Sequence, residues 1–376
     1  MWPQLKQLIK QLLGIPADSG HDRWVQPSDA ARFAGKKGKR PLILDKAKLA
    51  RHSLPPLTDN TDLARWLNIS PGRLNWYIYR SKSDSVWHYF RFTIPKRSGG
   101  ERVILAPKAQ LKTIQRQILA GILERVPTHP QAHGFVNGRS IVTNATPHVG
   151  QPYVLNLDLK EFFPTITYAR VRGLFSSLGY PKAVAGSLAL LCTADDRRLE
   201  NKPIDGKDAT CYISQGMNTL IQGAPTSPAI SNLIARRLDA RLHGLARSKG
   251  FTYTRYADDL TFSGPSREQA LRILDVAQRI IGDEGFVVNQ EKTRLYPQST
   301  RQIVTGIVVN DQVGTPRQLR RRIRAILHNA RRTGIEAQNR GGHDDFMAHL
   351  VGLIAHVYNV NREQGQKLLE QAQRNN

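Results

Sequence analysis

Cysteine is nearly absent from this chain, and acidic residues are heavily outnumbered. Only Cys192 and Cys211 occur in 376 residues. Two thiols make neither a disulfide framework nor a zinc site, and they read as ordinary thiols of a reducing compartment. Long apolar runs are missing too. The richest, residues 183–192, is too short to cross a bilayer. The N-terminus lacks the basic, apolar and cleavage order of a secretory leader. A cytoplasmic protein with no membrane association is therefore expected. Against 55 Lys and Arg stand 30 Asp and Glu, a formal charge of +25. That excess favours a polyanionic partner, either nucleic acid or an anionic surface. Basic residues recur along the whole length with aromatics between them, which suits a long charged channel better than a tethering tail.

A chain of this length buries a large core and divides into two or three packed subdomains. Residues 1–13 carry Trp2, Leu5, Leu8, Ile9, Leu12 and Leu13 at helical spacing. Residues 35–41 form a basic connector. Between residues 58 and 80, two short helices are separated by Ser70-Pro71-Gly72. Their outline resembles a helix-turn-helix, a form used more often for packing than for reading DNA. Residues 89–94 and 102–105 alternate like paired strands around Ser98-Gly99-Gly100. A helix is expected over 108–126, a strand over 153–157, then helices over 169–178, 228–248 and 267–284. Strands are expected again at 286–289 and 303–309. This loose alternation is an α+β pattern.

Tyr256-Ala257-Asp258-Asp259 lies between two strand-like runs, so a hairpin tip would hold both acids at one point. Such a pair is either a solvated acidic turn or part of a divalent-metal site. Asp158 ends the apolar run Val154-Leu155-Asn156-Leu157, where an acid is unfavourable unless something binds it or it caps the next helix. Gln222-Gly223-Ala224-Pro225-Thr226-Ser227-Pro228 offers small residues for a close approach and two hydroxyls to cap a helix from Pro228.

Taken in order, Leu157-Asp158-Leu159-Lys160-Glu161-Phe162-Phe163, then Gln222 to Pro228, then Tyr256 to Asp259 resemble the A, B and C motifs of reverse transcriptases. The run from Ile94 to Arg102 resembles the fingers hairpin of that family, and Asn289-Gln290-Glu291-Lys292-Thr293 its lysine-bearing D motif. Asn144-Ala145-Thr146-Pro147-His148 and Val304-Thr305-Gly306 resemble signatures of the bacterial retron branch. His148 is otherwise as readable as a satisfied structural histidine as an RNA contact, and Val304 to Gly306 as a strand and its turn.

The resemblance implies a right-hand polymerase. Its fingers and its palm, an antiparallel sheet backed by helices, would occupy residues 86–312. A helical extension with the basic linker would precede them at 1–85, and a short helical thumb would follow at 313–376. It implies that Asp158, Asp258 and Asp259 hold two Mg²⁺ ions, with Mn²⁺ as a substitute. Lys96 and Arg102 would clamp a deoxynucleoside triphosphate. Phe163 would exclude a ribose 2′-hydroxyl, and Gln222, Gly223 and Ala224 would border the nucleotide and template base. Lys292 would either protonate pyrophosphate or pair with acids on the surface.

The chain would copy part of its own noncoding RNA into branched single-stranded DNA, primed by a guanosine 2′-hydroxyl. That activity would serve antiphage defence beside a separate effector protein. A group II intron type and an RNA-binding scaffold for an effector are the alternatives. RNA contacts would come from Asn144, His148, Val304, Thr305, Gly306 and a helix starting at Thr315-Pro316-Arg317-Gln318. On that helix Leu319, Ile323, Ile326 and Leu327 make an apolar stripe. Arg317, Arg320, Arg321 and Arg324 lack matching acids, which favours phosphate contact.

Overall fold

Four antiparallel strands at the centre of the molecule carry the acidic residues to one edge. The computed structural model describes residues 44–79, 83–84, 86–95, 99–204 and 207–373. The apolar segment at 1–13, the connector at 35–41 and Lys96 lie outside them. In chain order the strands are β1 (Ser83–Asp84), β2 (Tyr89–Pro95), β3 (Glu101–Pro107), β4 (Tyr153–Asp158), β5 (Arg197–Ile204), β6 (Lys207–Ser214), β7 (Thr252–Tyr256), β8 (Asp259–Gly264), β9 (Arg294–Pro297), β10 (Ile303–Val304) and β11 (Ile307–Val308). The central sheet runs β7-β8-β4-β9. Its register pairs Leu157 with Leu260 and Asp158 with Asp259. Because strand side chains alternate faces, this register buries Leu155, Leu157, Leu260 and Phe262 together.

Helices Ser227–Ile234, Arg236–Ser248 and Arg267–Asp283 contribute Ile230, Leu238, Leu242, Ile273 and Ile281 to the core that includes those sheet residues. The early helices Asn60–Trp66 and Pro71–Ile78 are capped by Asp59 and Ser70. Their Leu63 and Leu74 join the same core, so this helix pair packs on the body of the fold. Hairpin β2–β3 is paired over seven residues. Leu105 N donates to Gln222 O at 2.9 Å, which ties the hairpin to the glycine-bearing loop. Three helices, Arg317–Thr333, Phe346–Val360 and Arg362–Gln373, enclose a second core of Ile323, Ile326, Leu327, Leu350, Ile354 and Leu368.

Several sequence expectations change in detail. The helix expected over 108–126 stops at Gly121. A Cβ there would come within 2.5 Å of the Trp66 ring, so the glycine records a close helix contact. The helix expected over 228–248 breaks at Ala235. Thr226 and Thr315 make no capping bond; both side chains are buried instead. Residues 286–289 form a single bridge, Leu159 to Val288, and β9 takes the sheet edge. The strand expected at 303–309 is the hairpin β10–β11, because Thr305 and Gly306 both take left-handed φ, 47° and 83°.

Beneath the sheet lies a charge without solvent. Arg255 and Asp239 are both fully buried and pair through two 2.7 Å bonds, from Nε to Oδ1 and from Nη2 to Oδ2. Removing one member of such a pair leaves the other charge stranded, at about 3–5 kcal/mol. Asp239→Ala is expected to lose stability on that scale in urea unfolding. A loss within the roughly 0.5 kcal/mol of an ordinary surface substitution would sink this account.

Candidate active site

A two-residue turn, Ala257-Asp258, joins β7 to β8 and is closed by the pairing of Tyr256 with Asp259. Ala257 takes φ 56°, a left-handed conformation unfavourable for a residue with a Cβ. The turn is held from below. Arg255 Nη1 donates to Ala257 O at 3.0 Å and to Asn232 Oδ1 at 2.9 Å. Asn232 Nδ2 donates to Gly134 O at 2.8 Å, and His133 N to Arg255 O at 2.7 Å. Gly134 lies flat on the turn: a Cβ there would stand 2.5 Å from Ala257 N. One side chain, Arg255, thus links the acidic turn to the helix that follows the Gln222–Pro228 loop.

Asp158 stands opposite Asp259 across the β4–β8 ladder. Lys292 Nζ lies 2.9 Å from Asp158 Oδ1, and Asn289 Nδ2 donates to Asp158 Oδ2 at 3.2 Å. Lys292 therefore pairs with an acid of the cleft and not with surface acids. That bond holds the Lys292 ammonium above its usual range. Burial pushes the Asp258 carboxyl up, and Asp158 adds to this, while Lys292 and Arg102 oppose it. Asp259 is pushed up to about 7 by desolvation, then by Asp258 and Asp158. Its side chain opens to the cleft, where water tempers that shift. Burial and mutual repulsion thus disfavour the charged form of both turn acids, and Lys292 offsets part of this.

Among the described residues, no three His, Cys, Asp or Glu side chains are grouped so as to hold a metal ion by themselves. Mg²⁺ sites completed by substrate phosphates need only one or two carboxylates. The oxygen donors of Asp158, Asp258 and Asp259 fit that kind of site.

Asp158 and Asp259 border a cleft of about 430 Å³ lined also by Asn156, Lys292, Arg294, Thr305 and Gly306. Arg102 of β3 is exposed, and its charge bears on Asp258. Gly223 takes φ 117°, and a Cβ there would stand 2.8 Å from Leu105 O. Ala224 is buried beside it, and Gln222 Oε1 has no partner among the described residues. Phe162 is core, while Phe163 is half-buried and packs 5.7 Å from it.

Expected RNA contacts divide in two. Asn144, His148 and Val304 are fully buried, which corrects the expectation that they touch RNA: their side chains do not reach solvent. His148 bridges the sheet, with Nδ1 2.7 Å from Ser263 Oγ and Nε2 2.8 Å from Thr254 Oγ1. Asn144 Nδ2 donates to Thr305 Oγ1 at 3.5 Å. The two motifs, far apart in sequence, therefore meet in one apolar cluster with Val154, Ile307 and Val360. Thr305 and Gly306 do line the cleft. On the arginine helix, Arg317, Arg321 and Arg324 are exposed, but Arg320 is half-buried and donates to Gln364 at 3.2 Å.

Sequence reading missed Arg255, Asp239, Asn232, Gly134, Asn289 and Asn156. Asp239 left one trace, an acid sharing the buried stripe of Leu238, Leu242 and Ala246 on its helix.

The family model described as Reverse transcriptase (RNA-dependent DNA polymerase) matches residues 94–308. That span holds all three acids, and the chain belongs to this family of RNA-directed DNA polymerases. Its branch is that of the bacterial retron reverse transcriptases. It is 45% identical to Retron Mx65 reverse transcriptase of Myxococcus xanthus, over 93% of this chain and 81% of that one. Retron Ec86 reverse transcriptase of Escherichia coli is 35% identical, over 76% and 82%. Among solved structures, a Candida albicans telomerase in complex with a fragment of telomeric RNA aligns with TM-score 0.43 and 12% identity, over 75% of this chain and 56% of that one. A foamy viral protease-reverse transcriptase with double-stranded DNA gives 0.39 and 17%, over 79% and 45%. Both structural likenesses are weak, and each covers less than two thirds of the solved chain.

Two predictions follow from this geometry. Gly134→Ala sets a methyl against turn backbone that cannot swing aside. DNA synthesis should fall at least about 100-fold, as for misplaced reacting groups, while unfolding stays cooperative; near-normal synthesis would refute the packing argument. The second concerns acid. Desolvation lowers His148 from 6.5 to about 3, so the folded ring stays neutral where the unfolded one takes a proton. Its contribution is complete above pH 6.5 and is lost as pH falls from there toward 3, by at most about 1.4 kcal/mol per unit. Urea unfolding at pH 7 and pH 5 should show a smaller drop for His148→Gln than for the unaltered protein. Equal drops would contradict a buried neutral imidazole.

Proposed function

We propose that this enzyme copies part of a cognate noncoding RNA into branched single-stranded DNA, priming from an RNA guanosine 2′-hydroxyl. The observation that carries the catalytic part is the register pairing of Asp158 with Asp259, beside Asp258 and Lys292. Two Mg²⁺ ions are the cofactors that suit this donor set; when bound, they activate an attacking hydroxyl and stabilise the leaving pyrophosphate. Asp158, Asp258 and Asp259 would hold them, and the cross-strand pairing fixes the spacing of the first and last. Arg102, with Lys96, neutralises and orients the triphosphate. Lys292 stays protonated at neutral pH, since its ammonium is stabilised; it can give a proton to pyrophosphate but not take one. Phe163 is the residue assigned to exclude a ribose 2′-hydroxyl.

The retron part of the reading is supported by the branch to which the chain belongs and by the contact between Asn144 and Thr305. That contact braces the Thr305-Gly306 wall of the cleft, and Val360 of the C-terminal helices packs into the same cluster. We assign fingers and palm to residues 86–312 and the thumb to 313–376. Arg317, Arg321 and Arg324 then form the thumb's RNA-facing row, in which each phosphate contact adds salt-dependent affinity. The enzyme works in the bacterial cytoplasm, and its DNA serves antiphage defence with a separate effector protein. No described helix is long and apolar enough to cross a membrane.

The test is to purify the protein with its native genomic neighbourhood and analyse the bound nucleic acid. Branched RNA–DNA is expected; an active polymerase carrying no branched product would overturn the retron reading. Asp258→Asn should reduce DNA synthesis to background while RNA is still retained. Surviving synthesis would show that the metal assignment is wrong.

A further inference from the structure

Phe135 is exposed, strained and close to the site, a combination that core packing does not explain. It is 51% exposed and takes φ 60°, a region that bulky residues rarely enter. Positive φ at residues other than glycine occurs at Ser53, Asn68, Phe135, Glu161, Ala257 and Thr305. The last four all lie in or beside the cleft motifs, and strain of this kind persists only where surrounding contacts impose it. For Phe135 those contacts are visible. Gly134 is pressed on Ala257, Gly134 O accepts from Asn232, and His133 N is bonded to Arg255 O.

The imposed conformation puts the Phe135 ring 6.3 Å from the ring of Phe163, tilted by 42°. Phe163 has Phe162 on its other side at 5.7 Å, and Phe162 rests in turn on Phe286 at 5.4 Å. The four rings make a row that begins in the core and ends in solvent, with Phe163 as its third member. An aromatic side chain held on one side only can rock about its side-chain torsions. Phe135 closes the open side.

We infer that Phe135 is a positioning residue for sugar discrimination: it clamps Phe163 in the place where that ring excludes a ribose 2′-hydroxyl. The inference rests on the reading of Phe163 as the excluding residue. The link through Gly134, Ala257 and Arg255 sets the clamp from the same turn that carries Asp258, so the sugar wall and the acids share one frame.

The test measures kcat/KM for deoxynucleotide and ribonucleotide incorporation separately. Phe135→Gly removes the ring and suits φ 60°, so the variant should fold as well as the parent. Its preference for deoxynucleotides should weaken by about tenfold, the scale of a lost apolar wall contact. Phe135→Leu keeps part of the bulk and should be intermediate, and Phe135→Tyr should restore the preference. Phe163→Val serves as the reference and should relax discrimination most. Suppose Phe163→Val relaxes discrimination while Phe135→Gly and Phe135→Leu leave the ratio unchanged or lower both rates equally. The clamp is then wrong and the role of Phe163 stands. If Phe163→Val leaves the ratio unchanged as well, the role of Phe163 falls and the clamp with it.

Discussion

Arg255 carries a full charge with no access to water, directly beneath the turn that presents Asp258. It cannot be there unpaired, because an isolated buried charge is prohibitively unfavourable. Its guanidinium fork is taken up by both oxygens of Asp239 and by Asn232, with one further bond to Ala257 O. The planar fork has fixed donor directions, so satisfying them fixes four segments at once: β7, the acidic turn, and the two helices that bring Asn232 and Asp239. Asn232 passes the constraint on to Gly134. The cleft is thus built by electrostatic necessity below it as much as by apolar packing around it.

Above that frame three acids are held close, with their repulsion only partly offset. Asp158, Asp258 and Asp259 converge because two strands are paired in one register, and a one-residue slip would turn Asp259 to the other face. Lys292 offsets part of the repulsion through Asp158. The Asn144–Thr305 contact and the Val304 cluster support the cleft from the side. Those two motifs shape the enzyme from within, with only Thr305 and Gly306 reaching the cleft surface.

Much of the site was legible before any coordinates. The acids and Gly223 announce themselves because each breaks a local rule, charge at an apolar strand end and glycine in a loop that must approach a backbone; Phe163 is marked only by its place in the family motif after Asp158. Arg255 broke a rule as well, a charge inside a β-strand, but it stands beside two more conspicuous acids. Asn232 and Gly134 broke none, since an asparagine in a helix and a glycine in a loop are ordinary. The strand expected at 303–309 became a hairpin because Thr305 accepts a left-handed backbone, which nothing in a β-branched residue suggests.

Residue order alone determined the polyanion-binding charge, the α+β alternation, the acids and the family they mark. Those properties reside in composition, in local periodicity and in short spacings, which survive without a third dimension. Only the tertiary structure decided that Asp158 faces Asp259, that His148 is a buried bridge rather than an RNA contact, and that Arg320 turns inward. It alone set Phe135 against Phe163. The reason is physical: burial and pairing are relations between segments up to 164 residues apart, and no local pattern encodes which buried polar groups will find each other.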